Sequence, residues 1–193
     1  MQNVDWARAA TIPHPHQKAG VEWLLAPSNS AQGRLIPNVY LLGDAVGVGK
    51  SKQIVDSSQV LFEAGAIDTV LVVTPAFARG VWADPDPALG EVAKHAWHSV
   101  DNFISEYSVR NDRLAAPHSG HLLWLVSNYE FLRRPERLLP LMEFLKTRRY
   151  WLVPDESWAL SDHTTAQWLA VASLRHHQWV PDSKCRKDPV WKA

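Results

Sequence analysis

The sequence predicts an α/β fold with a mainly parallel central sheet and helices on both faces. Two observations lead to this fold class. Four short apolar runs are typical of buried parallel strands: Val39–Gly43, Thr69–Thr74, Leu122–Ser127 and Tyr150–Pro154. The segments between these runs are long enough to hold crossover helices, which parallel strands require. The chain has 193 residues, 46% of them hydrophobic, which suits one domain with a proper core.

Five segments are predicted to form helices: Pro15–Leu25, Lys50–Ala64, Pro87–His95, Glu130–Lys146 and Thr164–Leu174. The polar stretch Ala26–Arg34 is expected to be the loop between the first helix and the first strand. We expect one domain over residues 1–175. The last stretch, 176–193, is polar, has two Pro and two Trp, and lacks helical or strand periodicity, so we expect an irregular tail there.

The charge balance and the cysteine count indicate which partners the protein can attract and in which cellular compartment it is expected. Twenty basic residues match twenty acidic ones, so any contact with nucleic acid must come from a local patch and not from net charge. Cys185 is the only cysteine, which excludes an internal disulfide and favours a reducing compartment. The N-terminus lacks a signal-peptide pattern, and the apolar runs are too short to cross a bilayer. We expect an intracellular, cytoplasmic protein with no membrane partner.

The stretch "LLGDAVGVGKSKQ", Leu41–Gln53, is close to a phosphate-binding loop between a strand and a helix. Gly47 and Gly49 offer unhindered backbone N–H groups to phosphate oxygens. Lys50 would neutralise the β- and γ-phosphates, and the hydroxyl of Ser51 would bind Mg²⁺. Asp44 stands where the usual pattern has its first Gly. The stretch therefore predicts a nucleotide and Mg²⁺ as ligands, with a Gly-rich turn that merely caps a helix as the alternative.

The second half of a nucleotide-hydrolysing site is predicted at "YWLVPDESW". Such a site needs a carboxylate for Mg²⁺ and a group that positions the attacking water. Asp155 is the candidate for the metal, directly or through water, and Glu156 is the candidate for the water. Both follow an apolar strand, about a hundred residues after the phosphate loop. Glu156 and Lys50 are thus the predicted catalytic residues.

Two further groups of residues have alternative interpretations. The basic residues could extend a nucleic-acid surface or form a solvated helix face: Arg133, Arg134, Arg137, Lys146, Arg148 and Arg149. The paired histidines suggest a metal site, but the chain has no Cys pair and no helical His-Glu-x-x-His pattern, so none is expected. These pairs are His14/His16, His118/His121 and His176/His177.

The ordered set of motifs resembles the Swi/Snf-type ATPases of helicase superfamily two. "DAVGVGKSKQ" is similar to their first motif, which begins with Asp, and "PHPHQKAGVEWLL" is similar to their opening segment. "VLVVTPAFARGVW" (with Thr74, Pro75 and Trp82), "LVSNYEFLR" (with Ser127, Tyr129 and Glu130) and "VPDESW" follow in the family's order. The resemblance spans about residues 12–172.

The resemblance implies a RecA-like three-layer α/β/α sandwich that uses ATP and Mg²⁺ and contacts DNA through the phosphate backbone, without reading bases. It implies an adenine contact by Gln17. The nucleotide-binding residues would be Gln17, Asp44, Gly47, Val48, Gly49, Lys50, Ser51 and Lys52. The DNA-contacting residues would be Thr74, Pro75 and Ser127.

The chain departs from the family pattern in several places. Ala45 replaces the usual Glu, and Trp158 replaces the His that helps couple hydrolysis to movement. A Thr-Pro motif is expected near Val180–Asp188, where the sequence reads "VPDSKCRKD". We therefore hypothesise a frameshift or truncation near His176, with a diverged natural terminus as the alternative. Motor activity requires a second lobe that supplies arginines, in cis or in trans. We expect the chain alone to hydrolyse ATP very slowly.

Two other functions are compatible with the residues themselves. A small-molecule kinase, or another phosphate-loop NTPase, would use the same loop and would turn over without DNA. A non-catalytic DNA- or protein-interaction domain with a vestigial loop would bind no nucleotide.

Overall fold

The computed structural model describes residues 4–26, 42–43, 45–114 and 120–176. Within them a four-stranded sheet is formed by β1 (Thr69–Thr74), β2 (Asn102–Glu106), β3 (Leu122–Asn128) and β4 (Tyr150–Pro154). The strand order is β2-β3-β1-β4, and every pair of neighbours is parallel. Three of the four predicted strands are therefore confirmed. Nearly all of the fourth, Val39–Gly43, lies outside the described residues.

Strand β2 was not predicted. Its sequence "NFISE" mixes polar and apolar residues, and only Ser105 in it is buried. Among the described strands β2 pairs with β3 alone, and a strand with one neighbour exposes more of its surface to solvent than a central strand does. The continuous apolar run that identified the central strands is therefore missing.

The helices agree with the sequence at the two ends of the chain and differ in the middle. Helices α1 (Pro15–Leu25), α2 (Lys50–Glu63) and α7 (Ala166–His176) match three predictions to within two residues. Helix α3 (Arg79–Ala83) was not predicted, and α4 (Glu91–His95) is shorter than expected. A turn replaces the start of α4, because Asp86 accepts hydrogen bonds from the backbone N–H groups of Ala88 and Gly90.

The predicted helix Glu130–Lys146 is instead two helices, α5 (Tyr129–Leu132) and α6 (Pro135–Leu145). The residue before a proline is pushed out of the helical region by the proline ring. Arg134 accordingly has an extended conformation, with φ −93° and ψ 124°, and Pro135 begins the next helix. After the break, Leu138, Leu141 and Leu145 of α6 pack in the core.

The hydrophobic core fills both sides of the sheet, because alternate residues of each strand point to opposite faces. On one face Leu71 and Leu125 pack with Leu141 of α6 and Leu174 of α7. On the other face Val72 packs in a cluster with residues of α2 and α3. All seven residues of β3 are buried. The three-layer α/β/α prediction is confirmed. No helix in the described ranges is long and apolar enough to span a membrane.

Candidate functional site

The predicted site residues gather at the edge of the sheet where the parallel strands end. Helix α2 finishes at Glu63, shortly before β1 begins, so it runs antiparallel to that strand. Ile54 and Val55 of α2 pack in the same cluster as Val72 and Val153. The first turn of α2, with Lys50 and Ser51, therefore lies at the same edge as Asp155.

The loop before α2 has the backbone that a phosphate cradle requires. Gly47 has a φ of 82° and Gly49 a φ of 84°, and both values favour glycine strongly. Gly49 is the N-cap of α2, and glycine has no side chain with which to cap the N–H groups of the first turn. The ammonium group of Lys50 donates a 3.0 Å hydrogen bond to the carbonyl of Ala45, so Lys50 folds back over the loop. Asp44 lies outside the described residues.

Helix α1 holds this loop through two side chains. The amide nitrogen of Gln17 donates to the carbonyl of Val48 at 3.1 Å, and Nε2 of His16 lies 3.0 Å from the same oxygen. The amide oxygen of Gln17 accepts the backbone N–H of His14 at 3.0 Å, and Gln17 is buried. The structure thus gives Gln17 a role in joining α1 to the loop. Its contact with adenine stays a prediction.

His16 is a site residue that the sequence did not single out, except as half of a histidine pair. It lies beside Gln17 in the segment that opens the motif series, and this position was the available signal. With Val48 it lines a cavity of about 560 Å³ between α1 and the loop. This volume is within the range of small-molecule sites. The other lining residues are Gly20, Trp23, Leu42, Gly43, Ala45 and Gln53.

The carboxylate of Asp155 is held by three hydrogen-bond donors. Its Oδ2 accepts the indole N–H of Trp82 at 2.7 Å and the hydroxyl of Thr74 at 3.2 Å. Its Oδ1 accepts the backbone N–H of Glu156 at 3.0 Å. The carbonyl of Asp155 accepts the hydroxyl of Tyr129 at 2.7 Å. Burial, followed by the charges of Asp155, Glu156 and Glu130, raises the pKa of Tyr129, which keeps its hydroxyl a donor.

Glu156 is exposed and has φ 52° and ψ 51°, the one positive φ found for a non-glycine residue in the described ranges. This conformation begins the 3-10 turn Ser157–Leu160. The indole N–H of Trp158 donates to Oε2 of Glu156 at 2.9 Å. The predicted catalytic carboxylate, Glu156, therefore accepts a hydrogen bond from Trp158, the residue that replaces the His of the family pattern.

The three predicted DNA-contacting residues do not lie on the surface. Thr74 and Ser127 are fully buried, and Pro75 is also buried. The hydroxyl of Thr74 is engaged with Asp155, and that of Ser127 donates to the carbonyl of Tyr107 at 2.7 Å. Contact of these three residues with DNA stays a prediction.

The side chain of Lys52 also points inward. Its ammonium group forms a 2.9 Å ion pair with Asp56 and donates to the carbonyl of Thr11 at 2.9 Å. The carboxylate of Asp56 also accepts the indole N–H of Trp97 at 2.9 Å. Burial raises the pKa of Asp56, and the hydrogen bonds from Trp97 and Lys52 oppose that rise. A nucleotide contact by Lys52 can therefore involve its backbone N–H but not its ammonium group.

The predicted basic cluster is divided. Arg137, Lys146, Arg148 and Arg149 each form an ion pair with an acidic residue. Arg148 and Arg149 precede β4, at the opposite edge of the sheet from Asp155. Arg133 and Arg134 are exposed and follow α5, near the edge that carries the site. This pair is placed to extend a surface there.

The residues that the structure describes contain no group of three or more His, Cys, Asp or Glu side chains that could hold a metal ion. The rings of His14 and His16 stack with a 5.8 Å separation. His118 and His177 lie outside those residues.

Comparison with known proteins adds two similarities. No protein-family model matches the chain. The Sulfolobus solfataricus SWI2/SNF2 ATPase core in complex with dsDNA has a TM-score of 0.60 and 18% identity, over 88% of this chain and 31% of that one. Protein CHROMATIN REMODELING 24 of Arabidopsis thaliana is 35% identical over 68 residues, which are 35% of this chain and 6% of the plant protein.

The structural similarity establishes the fold as that of a RecA-like lobe. This chain spans less than a third of the solved core and a small part of the plant protein. Together the two similarities support the resemblance to Swi/Snf-type helicases that the motifs predicted.

Proposed function

We propose that this chain is the first, ATP-binding lobe of a Swi/Snf-type ATPase, which couples ATP hydrolysis to translocation on DNA. The observation that carries the proposal is the loop at the start of α2. Two glycines with positive φ precede a helix N-terminus, and Lys50 folds over the loop they form. A helix N-terminus with such a loop favours phosphate binding through its N–H groups and its dipole.

The donors around Asp155 leave room for a metal ion. An ionised carboxylate offers about four lone-pair sites. Trp82, Thr74 and the Glu156 N–H occupy three of them, so one is left for Mg²⁺ or for a water in its shell. Ser51, at the same edge, would supply the hydroxyl ligand. When bound, Mg²⁺ neutralises charge on the β- and γ-phosphates.

The chain's own residues then have distinct roles in hydrolysis. The backbone around Gly47, Val48 and Gly49 holds the phosphates, and Lys50 neutralises their charge. The oxygen of a water molecule bonds to the γ-phosphorus as the bond from that phosphorus to the ADP oxygen breaks. Glu156 orients this water and accepts its proton. The products are ADP and inorganic phosphate.

DNA and a second lobe complete the proposal. The similar Sulfolobus solfataricus ATPase core is in complex with dsDNA, and by analogy this lobe would contact the DNA backbone without reading sequence. The chain has no net charge, so the contact would be local. Arg133 and Arg134 are the exposed cations placed for it. A second lobe, in cis or in trans, would supply the arginines that stabilise γ-phosphate charge. DNA as partner implies an intracellular location.

Thermal unfolding in the presence of ATP–Mg²⁺ tests nucleotide binding. At about 100 times Kd, a ligand specific for the folded state adds about 2.7 kcal/mol. For a chain of this size that raises Tm by about 5–10 °C. Lys50→Ala should abolish the shift, because the phosphates lose their counter-charge. Lys94→Ala is the matched control, since Lys94 is an exposed lysine of α4 and is not part of the loop. An unchanged shift in Lys50→Ala refutes the proposed role of the loop.

Thermal unfolding together with an assay of ATP turnover separates the other two functions. A small-substrate kinase would consume ATP without DNA once its acceptor is present. A domain with a vestigial loop would show no shift in Tm with ATP–Mg²⁺. Our proposal predicts a shift with ATP–Mg²⁺ and very slow turnover by the lobe alone.

A further inference from the structure

The hydrogen bond between Trp158 and Glu156 has a consequence for catalysis. We propose that Trp158 is a positioning residue that holds the carboxylate of Glu156 away from the attacking water, and so keeps hydrolysis low until the indole is displaced. The inference rests on the proposed function, in which Glu156 accepts the proton of that water.

The backbone turn sets up the contact. Glu156 adopts φ 52° and ψ 51°, and its carbonyl accepts the N–H of Ala159 at 3.1 Å. This reversal brings the side chain at 158 back to the one at 156, where the indole N–H meets Oε2 at 2.9 Å. A non-glycine residue with positive φ persists only where its surroundings enforce it. Here the bond from the Glu156 N–H to Asp155 helps to enforce the turn.

Comparison with three other tryptophans shows that Trp158 does not need this bond for its own sake. Trp82, Trp97 and Trp124 are at most 2% exposed, and each donates its indole N–H to an acceptor inside the protein. A buried donor needs such a partner because water cannot reach it. Trp158 is 66% exposed, so water could satisfy its N–H. The indole therefore does not need Glu156 as its acceptor, and the bond ties one oxygen of the Glu156 carboxylate to the ring.

The hydrogen bond from Trp158 acts on the Glu156 carboxylate, the group that accepts the proton in the proposed reaction. A carboxylate that serves as a base must turn a free lone pair toward the water. The indole N–H occupies only one of the carboxylate's roughly four lone pairs, but it ties the side chain back toward residue 158, so the contact must open for the carboxylate to turn toward the water. Because Trp158 lies outside the core, its ring can move without disturbing the packing of the sheet.

A comparison of two ligands tests the inference. ADP–Mg²⁺ reports nucleotide binding, whereas ADP–Mg²⁺ with aluminium fluoride mimics the transferring phosphoryl group and its attacking water. Trp158→Phe keeps an aromatic ring and removes the N–H. We expect it to leave ADP–Mg²⁺ affinity unchanged and to tighten aluminium fluoride complex formation by about tenfold, the effect of one hydrogen bond to a charged group. Calorimetry at constant pH and salt measures both.

Two controls show whether the effect runs through Glu156. Trp6→Phe makes the same chemical change at a tryptophan that lies over Lys18, at the other end of the chain, and should change neither affinity. Glu156→Ala combined with Trp158→Phe should show no gain over Glu156→Ala alone, because the constrained carboxylate is gone. A gain that persists without Glu156 overturns the inference.

The outcomes also separate this inference from the function on which it rests. If the unaltered protein binds no ADP–Mg²⁺, the proposed function fails, and the inference fails with it. If ADP–Mg²⁺ binds but Trp158→Phe leaves the ratio of the two affinities unchanged, the inference is wrong and the proposed function stands.

Discussion

The indole N–H of Trp82 donates a 2.7 Å hydrogen bond to the carboxylate of Asp155, although the two residues are 73 positions apart. Thr74 adds a second donor to the same oxygen. Thr74 ends β1 and Trp82 lies in the segment that follows it, whereas Asp155 follows β4, the neighbouring strand. A displacement of the segment after β1 would therefore reach the carboxylate proposed to bind Mg²⁺. The two motifs form one hydrogen-bonded unit.

Replacing Trp82 by Phe tests this unit. The variant keeps a ring in the core and removes one donor from a partly buried carboxylate. We expect a loss of about 1–3 kcal/mol in the free energy of unfolding, measured by urea denaturation. We also expect weaker binding of ATP–Mg²⁺ by several-fold, because the carboxylate is less firmly oriented.

Trp124→Phe is the matched control for this change. Trp124 is fully buried, stacks on Trp82 with ring centroids 6.5 Å apart, and donates to Asn102 at 2.7 Å. The Trp124→Phe variant should lose about as much free energy of unfolding as Trp82→Phe does, and its affinity for ATP–Mg²⁺ should stay unchanged. Equal loss of affinity in both variants would show that only general packing was disturbed.

Gly49→Ala should damage the loop in two ways. An added Cβ would lie 2.2 Å from Nε2 of Gln17, and a φ of 84° is strained for alanine. We expect loss of ATP–Mg²⁺ binding and about 2 kcal/mol of destabilisation, because the bond from Gln17 to Val48 must also shift. Gly47→Ala meets no atom within 4 Å, so it should suffer only the backbone cost of about 1–2 kcal/mol.

Gly80→Ala is the control for the loop glycines. Gly80 lies within α3 and an added Cβ would meet open space, so alanine should leave stability unchanged or raise it by up to about 1 kcal/mol. Calorimetric melting of the three variants gives the comparison. Unchanged nucleotide affinity in Gly49→Ala would contradict the proposed cradle.

His95 should make stability depend on pH. Burial, followed by the charges of Lys52 and Lys94, lowers the pKa of His95 from 6.5 to about 4. Its neutral ring lies 2.7 Å from the hydroxyl of Thr11 and 3.6 Å from Glu91. Since the folded pKa lies below the unfolded one, the stabilisation is complete above pH 6.5 and disappears as the pH falls toward 4. The loss should be on the order of 2 kcal/mol.

His95→Gln keeps a hydrogen-bonding partner for Thr11 and removes the titration. Its free energy of unfolding should fall less than that of the unaltered protein between pH 6.5 and pH 4. The pKa of Asp56 is raised, so its protonation increases the free energy of unfolding as the pH falls, and it does so in both proteins. The difference between the two pH profiles therefore reports His95. His98→Gln, at an exposed histidine, is the control. Parallel pH profiles for His95→Gln and the unaltered protein would refute the assignment.

Lys52→Met should lower the free energy of unfolding without altering the nucleotide site. The change leaves the fully buried Asp56 without its cation, which costs about 3 kcal/mol. Adding Asp56→Asn should recover part of the loss, because the amide oxygen can still accept the indole N–H of Trp97. At a temperature where it is folded, the double variant should bind ATP–Mg²⁺ as the unaltered protein does. A large loss of affinity would assign Lys52 to the nucleotide after all.

The sequence was sufficient to predict an element or a candidate residue where one local pattern identified it. The apolar runs predicted β1, β3 and β4 because central parallel strands are buried on both faces. It was insufficient for β2, which has one neighbour among the described strands and keeps polar residues, and at Arg134–Pro135, where the proline ring outweighed the helical pattern. Residue types at fixed spacing likewise predicted the loop glycines, Lys50, Asp155 and Glu156 as candidates.

By itself, then, the sequence determined the α/β class, the order of its motifs and the residue types that phosphate and metal chemistry need, because each depends on neighbours in the chain. Only the tertiary structure decided which way the side chains face. It turned Lys52 inward to Asp56, closed Thr74 onto Asp155 and placed His16 against Val48. These contacts join residues that are between 4 and 81 positions apart, and all but the Lys52–Asp56 pair join different elements. The burial and hydrogen bonding that select them arise only when the sheet and its helices pack.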